Sequence, residues 1–342
     1  MRIAQISTLS APVSQESNGS IEAWVWLLTR ELVQLGHEVS VFATADSVVP
    51  AGAKLRATQP GAYGANGAID DWQLCEWLNI ARAVEHSGEF DVLHSHAYLW
   101  GLPLSRLSKA PFVHTTHIVP DDNAAKLWSQ YPEACVTAIS QHQWNAYPKL
   151  KPGAVIHHGV DVTNFRFSPT PKDYVCYLGR FVSGKGPRQA IAIARKLGVR
   201  LLMAGPAGPY FRENVQPLID GRSVEYVGFV RGAARDSLLG GARALLYPIQ
   251  FPESFGLVLV EAMLCGTPVA AMKLGAVPEI VEEGLTGCTA ESTDDMATAL
   301  ARAMKLDRKK VRIAAELRFS ASHMARLYER VYQRVTHRTA TP

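Results

Sequence analysis

Two carboxylates and two cations carry much of the chemistry this sequence can offer. Glu253 and Glu261 bracket the run Pro252-Glu253-Ser254-Phe255-Gly256-Leu257-Val258-Leu259-Val260-Glu261-Ala262. Pro252 and Ser254 are helix start signals, the apolar stretch runs on to Leu264, and Gly266 and Pro268 end it. The spacing therefore predicts a helix over 254–264, with Glu253 in the loop ahead of it and Glu261 about two turns inside. The first turn of such a helix offers unpaired backbone N–H groups and a positive dipole end, and Gly256 lets a ligand come close. Carboxylates so placed can hold hydroxyls at separate points along one long ligand. Taken alone, the pair also suits a capped helix with Glu261 on a solvated face.

The cations lie upstream, in Gly179-Arg180-Phe181-Val182-Ser183-Gly184-Lys185-Gly186, which follows an apolar run and opens a helical one. At the mouth of a strand–loop–helix turn they are well placed for a diphosphate, Arg supplying forked donors and Lys a point charge. Two solvated basic residues are the plainer reading. In the first half, Gly19-Ser20-Ile21-Glu22 opens a long predicted helix, and small residues at a helix start suit phosphate or sugar. Histidines collect in Phe90-Asp91-Val92-Leu93-His94-Ser95-His96 and Val113-His114-Thr115-Thr116-His117. An isolated His at a strand end is read first as a hydrogen-bonded structural residue. Alternation sends His94 and His96 to one face without guaranteeing His114 and His117, so no metal site is expected.

Regular elements must present these residues, and the chain runs strand, helix, strand twice over. Strands are predicted over 2–9, 38–43, 91–94, 112–115, 136–139 and 155–157, and helices over 20–35 and 71–86. The segment 48–67 reads as a loop rich in Gly, Ala and Pro. Ser168-Pro169-Thr170-Pro171-Lys172 is the linker candidate. Strands over 174–178, 200–204, 224–227, 244–247 and 269–271 then alternate with helical stretches. This is an α/β pattern of parallel sheets covered on both faces, with ligands beyond the carboxyl ends of the strands. It predicts two Rossmann-like domains facing across a cleft, residues 1–168 and 169–319. A last helix, within 320–342, is free to pack back on the first.

Composition excludes several classes. With 342 residues, 47% apolar and 19% charged, the chain is globular, not disordered. Cys75, Cys135, Cys176, Cys265 and Cys288 are odd in number and lack CxxC spacing, which disfavours a disulfide framework or zinc site and fits a reducing cytoplasm. The first residues read as a strand, not a signal peptide, and no apolar run is long enough to span a membrane. Residues 1–165 carry 10 Lys+Arg against 15 Asp+Glu, a net of −5, and residues 166–342 carry 25 against 16, a net of +9. The second half is the better host for a polyanion, and the acidic first half argues against docking on an anionic membrane. Gly61, Gly64 and Gly67 sit in a loop without the strand–helix context of a dinucleotide fingerprint, which disfavours a dehydrogenase. All seven Trp lie in the first half; core packing accounts for most, and aromatic faces also stack on sugar rings.

Glu, seven residues, Glu, with Phe-Gly-Leu inside, resembles the signature of retaining GT-B glycosyltransferases of the family 4 type (glycosyl transferases group 1). The resemblance continues through Ala262-Met263-Leu264-Cys265-Gly266-Thr267-Pro268-Val269 and Gly275-Ala276-Val277-Pro278-Glu279-Ile280-Val281. It also covers the Gly179–Gly186 element, Met203-Ala204-Gly205-Pro206, Tyr226-Val227-Gly228-Phe229-Val230 and Val155-Ile156-His157-His158-Gly159-Val160-Asp161. It implies an enzyme moving a sugar from a nucleotide-diphosphate donor, UDP by default with GDP, ADP and dTDP open, to an acceptor hydroxyl with retention. A bacterial natural-product or polysaccharide acceptor is expected, with neither nucleic acid nor membrane as partner. By resemblance Glu253 touches the donor sugar and Glu261 the ribose, and amides over Ser254, Phe255, Gly256 and Leu257 reach sugar and phosphate oxygens. Arg180 and Lys185 take the diphosphate, Val230 lies by the base, and Gly19 and Ser20 face the donor. His96 lies near the reacting sugar, with His117 a weaker candidate. No Asp-x-Asp occurs, so neither metal nor cofactor is expected, and the two cations must meet the charge that grows as the sugar bond breaks. Ser20, His158 and Ala276 depart from the family pattern. A nucleotide-sugar 2-epimerase of similar fold and a non-catalytic nucleotide-sugar-binding partner are the alternatives.

Overall fold

The computed structural model describes residues 1–146, 149–150 and 152–339, apart from the side chains of residues 338 and 339; residues 340–342 of the expected C-terminal segment lie outside it. The chain divides into two compact units, Met1–Val160 with Ala321–Pro342, and Asp161–Ser320. The Pro-rich stretch read as a linker lies inside the second unit. There the Ser168 N–H donates to the Cys265 carbonyl at 3.1 Å and the Lys172 N–H to that of Gly241 at 2.8 Å.

In the first unit, β1 (Arg2–Ile6), β2 (Glu38–Thr44), β3 (Lys54–Gln59), β4 (Val92–Ser95), β5 (Phe112–Thr116), β6 (Cys135–Ala138) and β7 (Ala154–Val155) form one parallel sheet. Its order is β3-β2-β1-β4-β5-β6-β7. From Ile3 to Ile6 β1 is wholly buried, as a central strand covered on both faces must be. On one face the helix Ser20–Gln34 lays Trp24, Val25, Leu28 and Leu32, at helical spacing, against a core shared with Met324, Tyr328 and Tyr332 of the helix Ala321–Thr339. Truncating Leu28 to Ala removes about 2–5 kcal/mol from such a site. On the other face Ile80 and Ala83 of the helix Trp72–Glu85 meet Ile6, Phe42 and Leu93. Edge strand β3 falls inside the expected loop. Only Gln59 of its six residues is buried, and Pro50, Gly52 and Pro60 flank it, so neither apolar alternation nor length announced it.

The second unit holds β8 (Val175–Leu178), β9 (Leu201–Ala204), β10 (Val224–Tyr226), β11 (Leu245–Tyr247), β12 (Val269–Met272) and β13 (Gly287–Ala290), parallel, in the order β10-β9-β8-β11-β12-β13. The sequence pattern did not announce β13, whose Gly287-Cys288-Thr289-Ala290 is too small and too short to register. In each sheet the strand order reverses beside the first strand of the unit, between β1 and β4 and between β8 and β11. Loops leaving those strands splay apart at their carboxyl ends, and ligands bind there in open α/β sheets.

Candidate functional site: the carboxyl ends of the two sheets

In the second unit the loops leaving β8 and β11 meet. After β8 the chain turns through Ser183–Lys185 into the helix Pro187–Leu197, with Gly186 between them at φ +70°. A Cβ on Gly186 would lie 1.9 Å from the Pro248 carbonyl oxygen, so only Gly allows this approach. The Gln250 N–H donates to the Gly184 carbonyl at 2.8 Å, tying the turn to the strand leaving β11. Glu253 then reaches Lys185. Its Oε2 accepts from the Lys185 ammonium and the Tyr247 hydroxyl, and Lys185 Nζ also donates to the Tyr247 oxygen at 3.0 Å. Burial alone would raise the Glu253 pKa, but the bonds from Lys185 and Tyr247 outweigh it and hold the carboxyl below its usual range. Burial, with the Glu253 charge added, pushes Tyr247 well above the usual phenol. Arg180 is exposed, and its charge acts on Tyr247 in the opposite sense. The cluster is an ionised carboxylate that can only accept hydrogen bonds, beside cations that can only donate.

The helix after Glu253 begins at Leu257, not 254, with Gly256 as its cap at φ +87°. Start signals at Pro252 and Ser254 serve the loop instead, where the Glu253 carbonyl accepts from the Ala276 N–H at 2.7 Å. Glu261 is consequently in the second turn of an eight-residue helix, Leu257–Leu264. It pairs with Arg235 at 3.1 Å, and Arg235 lies 4.5 Å from the Phe165 ring centroid. Burial raises the Glu261 pKa, against the attraction of Arg235. Ser254 donates its N–H to Glu253 Oε1 at 3.2 Å, and Phe255 is buried. Val230 is half-buried in the segment after β10, and the Gly228 carbonyl of that segment accepts from the Gly205 N–H at 3.1 Å.

In the first unit Gly19 caps the helix Ser20–Gln34. A Cβ there would meet Glu22 Oε2 at 2.0 Å, so this glycine makes room for a buried carboxylate. Glu22 Oε1 accepts from Thr8 Oγ1 at 2.8 Å and from Ser10 N at 3.0 Å, and Ser20 is exposed. His96 is 1% exposed and spends both ring nitrogens internally. Its Nε2 donates to Gln5 Oε1 at 2.7 Å, since the Gln5 amide donates to the Tyr332 hydroxyl at 3.2 Å. His96 Nδ1 then accepts from His117 Nε2 at 3.1 Å. His94 is locked likewise between Tyr332 and Thr115, at 2.7 Å each. Trp24 stands edge-on to His96, His117 and His158, 5.0, 5.0 and 5.6 Å between ring centroids. Burial lowers all these imidazoles, His114 to about 4 and His158 to about 3, so they are neutral at pH 7. The half-buried ring is His117, the weaker sequence candidate; His96 stands behind it. Among the described residues no group of three or more His, Cys, Asp or Glu is arranged to hold a metal ion, and no helix is long and apolar enough to cross a membrane.

Residues 21–164 match the family described as Glycosyltransferase Family 4, and residues 163–318 that described as Glycosyl transferases group 1. The D-inositol 3-phosphate glycosyltransferase of Mycolicibacterium smegmatis is 31% identical over 95% of this chain and 87% of its own. This chain belongs to the group 1 glycosyltransferases. Among solved structures, AviGT4, a glycosyltransferase involved in avilamycin A biosynthesis, superposes with a TM-score of 0.72 at 26% identity over 98% of both chains. Anabaena HepE in complex with UDP and glucose gives 0.70 at 20% identity, over 97% of this chain and 99% of its own. The transferase therefore has the GT-B fold, and it is an enzyme that transfers sugars. Its sequence did not disclose three partners. Tyr247 ends β11 at the order reversal, a position that could have marked it. Arg235 sits in the helix Gly232–Gly241 with no motif around it, and Tyr332 reaches His94 from a helix more than two hundred residues downstream, at a sequence separation of 238.

Proposed function

We propose that the transferase takes a glycosyl group from a nucleoside-diphosphate sugar, UDP-linked in the first instance, and passes it to an acceptor hydroxyl with retention and without a metal ion. The observation carrying this reading is the convergence of Lys185, Tyr247 and Glu253 beyond β8 and β11. Lys185, now shared between Glu253 and Tyr247, turns to the diphosphate, with Arg180 beside it, and meets the charge released onto the leaving phosphate. Glu253 stays ionised, so it holds a sugar hydroxyl and supports positive charge at the anomeric carbon but delivers no proton. Glu261, with Arg235, takes the ribose; Gly19, Ser20 and the amides over 254–257 face sugar and phosphate, and Val230 the base.

In the transfer step the anomeric carbon–oxygen bond to the β-phosphate breaks as the acceptor oxygen attacks from the same face. The acceptor proton passes to the departing phosphate oxygen; burial leaves the imidazoles of the first unit weak bases, and both ring nitrogens of His96 are already engaged. His117 orients the reacting sugar and His96 positions His117. HepE, solved with UDP and with UDP-glucose, supports the choice of base. A thermal-shift panel of nucleotide sugars tests the reading. One UDP-sugar should stabilise the protein, and turnover of that donor should need an acceptor. Interconversion of the donor alone would make the protein an epimerase instead.

A further inference from the structure

Three aromatic rings in the first unit have no part in the donor chemistry. Trp72 opens the helix Trp72–Glu85, and Tyr98 and Trp100 stand on the short turn Tyr98–Gly101 that leaves β4 at the order reversal. Trp72 lies 4.9 Å from Trp100 and 5.7 Å from Tyr98, and Tyr98 lies 5.7 Å from Trp100, between ring centroids. Trp100 packs partly against the core beside Val84 and Leu104 and Tyr98 is half-buried, but Trp72 is 41% exposed. Tyr98 sits at φ +43°, a left-handed conformation that a bulky side chain adopts only where its surroundings enforce it, two residues beyond His96. Beneath the rings, fully buried Glu76 accepts from the Leu9 N–H at 2.9 Å and from the Tyr63 hydroxyl, while its Oε2 has no partner. Its charge acts on both Tyr63 and Tyr98.

Among the described residues of the first unit, the ionisable side chains nearest this platform are acids. The acids are Glu22, Glu76, Asp70 and Asp71. Each Arg between residues 1 and 146 is already ion-paired elsewhere: Arg2 with Asp91, Arg30 with Glu31, Arg56 with Glu89, Arg82 with Glu85 and Arg106 with Glu133. Lys54 and Lys109 stand at the amino ends of β3 and β5, and Lys126 in the last turn of the helix Asp122–Ser129. The arginines of the helix Ala321–Thr339 belong to the opposite face of the sheet, beside the helix Ser20–Gln34. Within the first unit a phosphate here would meet these acids and the buried, neutral His114, whose ring lies against Gly101.

We propose that Trp72, Tyr98 and Trp100 form the acceptor subsite, and that it takes an uncharged, ring-shaped polyol stacked by its apolar face, not a phosphorylated one. This rests on the glycosyl-transfer reading and separates the chain from its relatives named for D-inositol 3-phosphate. Aromatic faces bind such rings through their apolar C–H surface, leaving the hydroxyls for groups at the rim. Tryptophan fluorescence titrations of the full chain, with methyl glycosides and myo-inositol in one arm and D-inositol 3-phosphate in the other, test it. At least one neutral ring should saturate the signal and the phosphate should not. Trp72→Ala should weaken that neutral ligand about tenfold while Trp72→Phe restores most of it. Saturation by the phosphate alone, no response to any neutral ring, or wild-type affinity in Trp72→Ala would overturn the proposal. UDP binding, followed in parallel by calorimetry, separates the two readings. Wild-type UDP affinity with no acceptor response sinks only the subsite, whereas loss of UDP binding in the wild-type chain sinks the donor assignment itself.

Discussion

Where strand order reverses in the second sheet, between β8 and β11, an ammonium, a phenol and an ionised carboxylate share hydrogen bonds. At the equivalent place in the first sheet, between β1 and β4, stand neutral imidazoles, aromatic rings of which Trp72 is exposed, and a carboxyl that burial pushes up to about 7. The architecture is the same and the solvation is opposite. Cations and an anion held half-buried together suit a ligand bearing several negative charges, because that ligand replaces one partner of an existing ion pair. Groups that burial keeps neutral suit a ligand whose hydroxyls must be oriented but not neutralised. On the proposed reading, this chain uses one sheet architecture twice, once for a polyanionic donor and once for an uncharged acceptor.

Breaking the charged side should have the largest effect. Glu253→Gln keeps the size and removes the charge that the proposed function sets beside the anomeric carbon, so turnover should fall on the order of a hundredfold or more while UDP binding changes little. Near-wild-type turnover would remove Glu253 from the chemistry. The neutral side is sharpened by pH. With its folded pKa raised, Glu76 favours the folded state below the carboxylate's unfolded value of about 4.3, and that contribution is lost as pH rises toward 7. Glu76→Gln, which cannot ionise, should therefore gain up to about 3 kcal/mol over the wild type in urea melts at pH 8, and much less at pH 5. Equal differences at both pH values would show that Glu76 is not held neutral. Glu253, with its pKa lowered, has the opposite sign and adds stability at neutral pH that is lost as acid titrates it. Tyr247→Phe deletes one hydrogen bond to Glu253 and one from Lys185, and should lower turnover about tenfold, with the optimum for Glu253 ionisation moved to higher pH. An unchanged pH profile would leave Tyr247 as packing only.

Much of this was legible beforehand. Alternating strands and helices gave two parallel sheets, and the Gly179–Gly186 and Pro252–Ala262 runs stood out because glycine, cation and carboxylate recur at fixed offsets from strand ends. What stayed hidden has physical causes. Edge strand β3 buries almost nothing, so it has no hydrophobic period to detect. The start of the helix at Leu257 depends on the left-handed Gly256 and on the bond from Ala276 to the Glu253 carbonyl, which no local pattern encodes. Spacing alone could not tell that Gln5 and His117 enclose His96. Net charge keeps its sense but loses contrast, because the last helix, with Arg326, Arg330, Arg334 and Arg338, joins the first unit: residues 1–160 with 321–342 carry 14 Lys+Arg against 15 Asp+Glu, and residues 161–320 carry 21 against 16.

Calorimetric titration of UDP and of uridine into wild-type protein and Lys185→Ala examines the donor assignment most directly. UDP affinity should fall at least about tenfold, as loss of a charged hydrogen bond requires, while uridine affinity stays unchanged. Equal losses for both ligands, or none for UDP, would contradict a diphosphate held by the turn after β8.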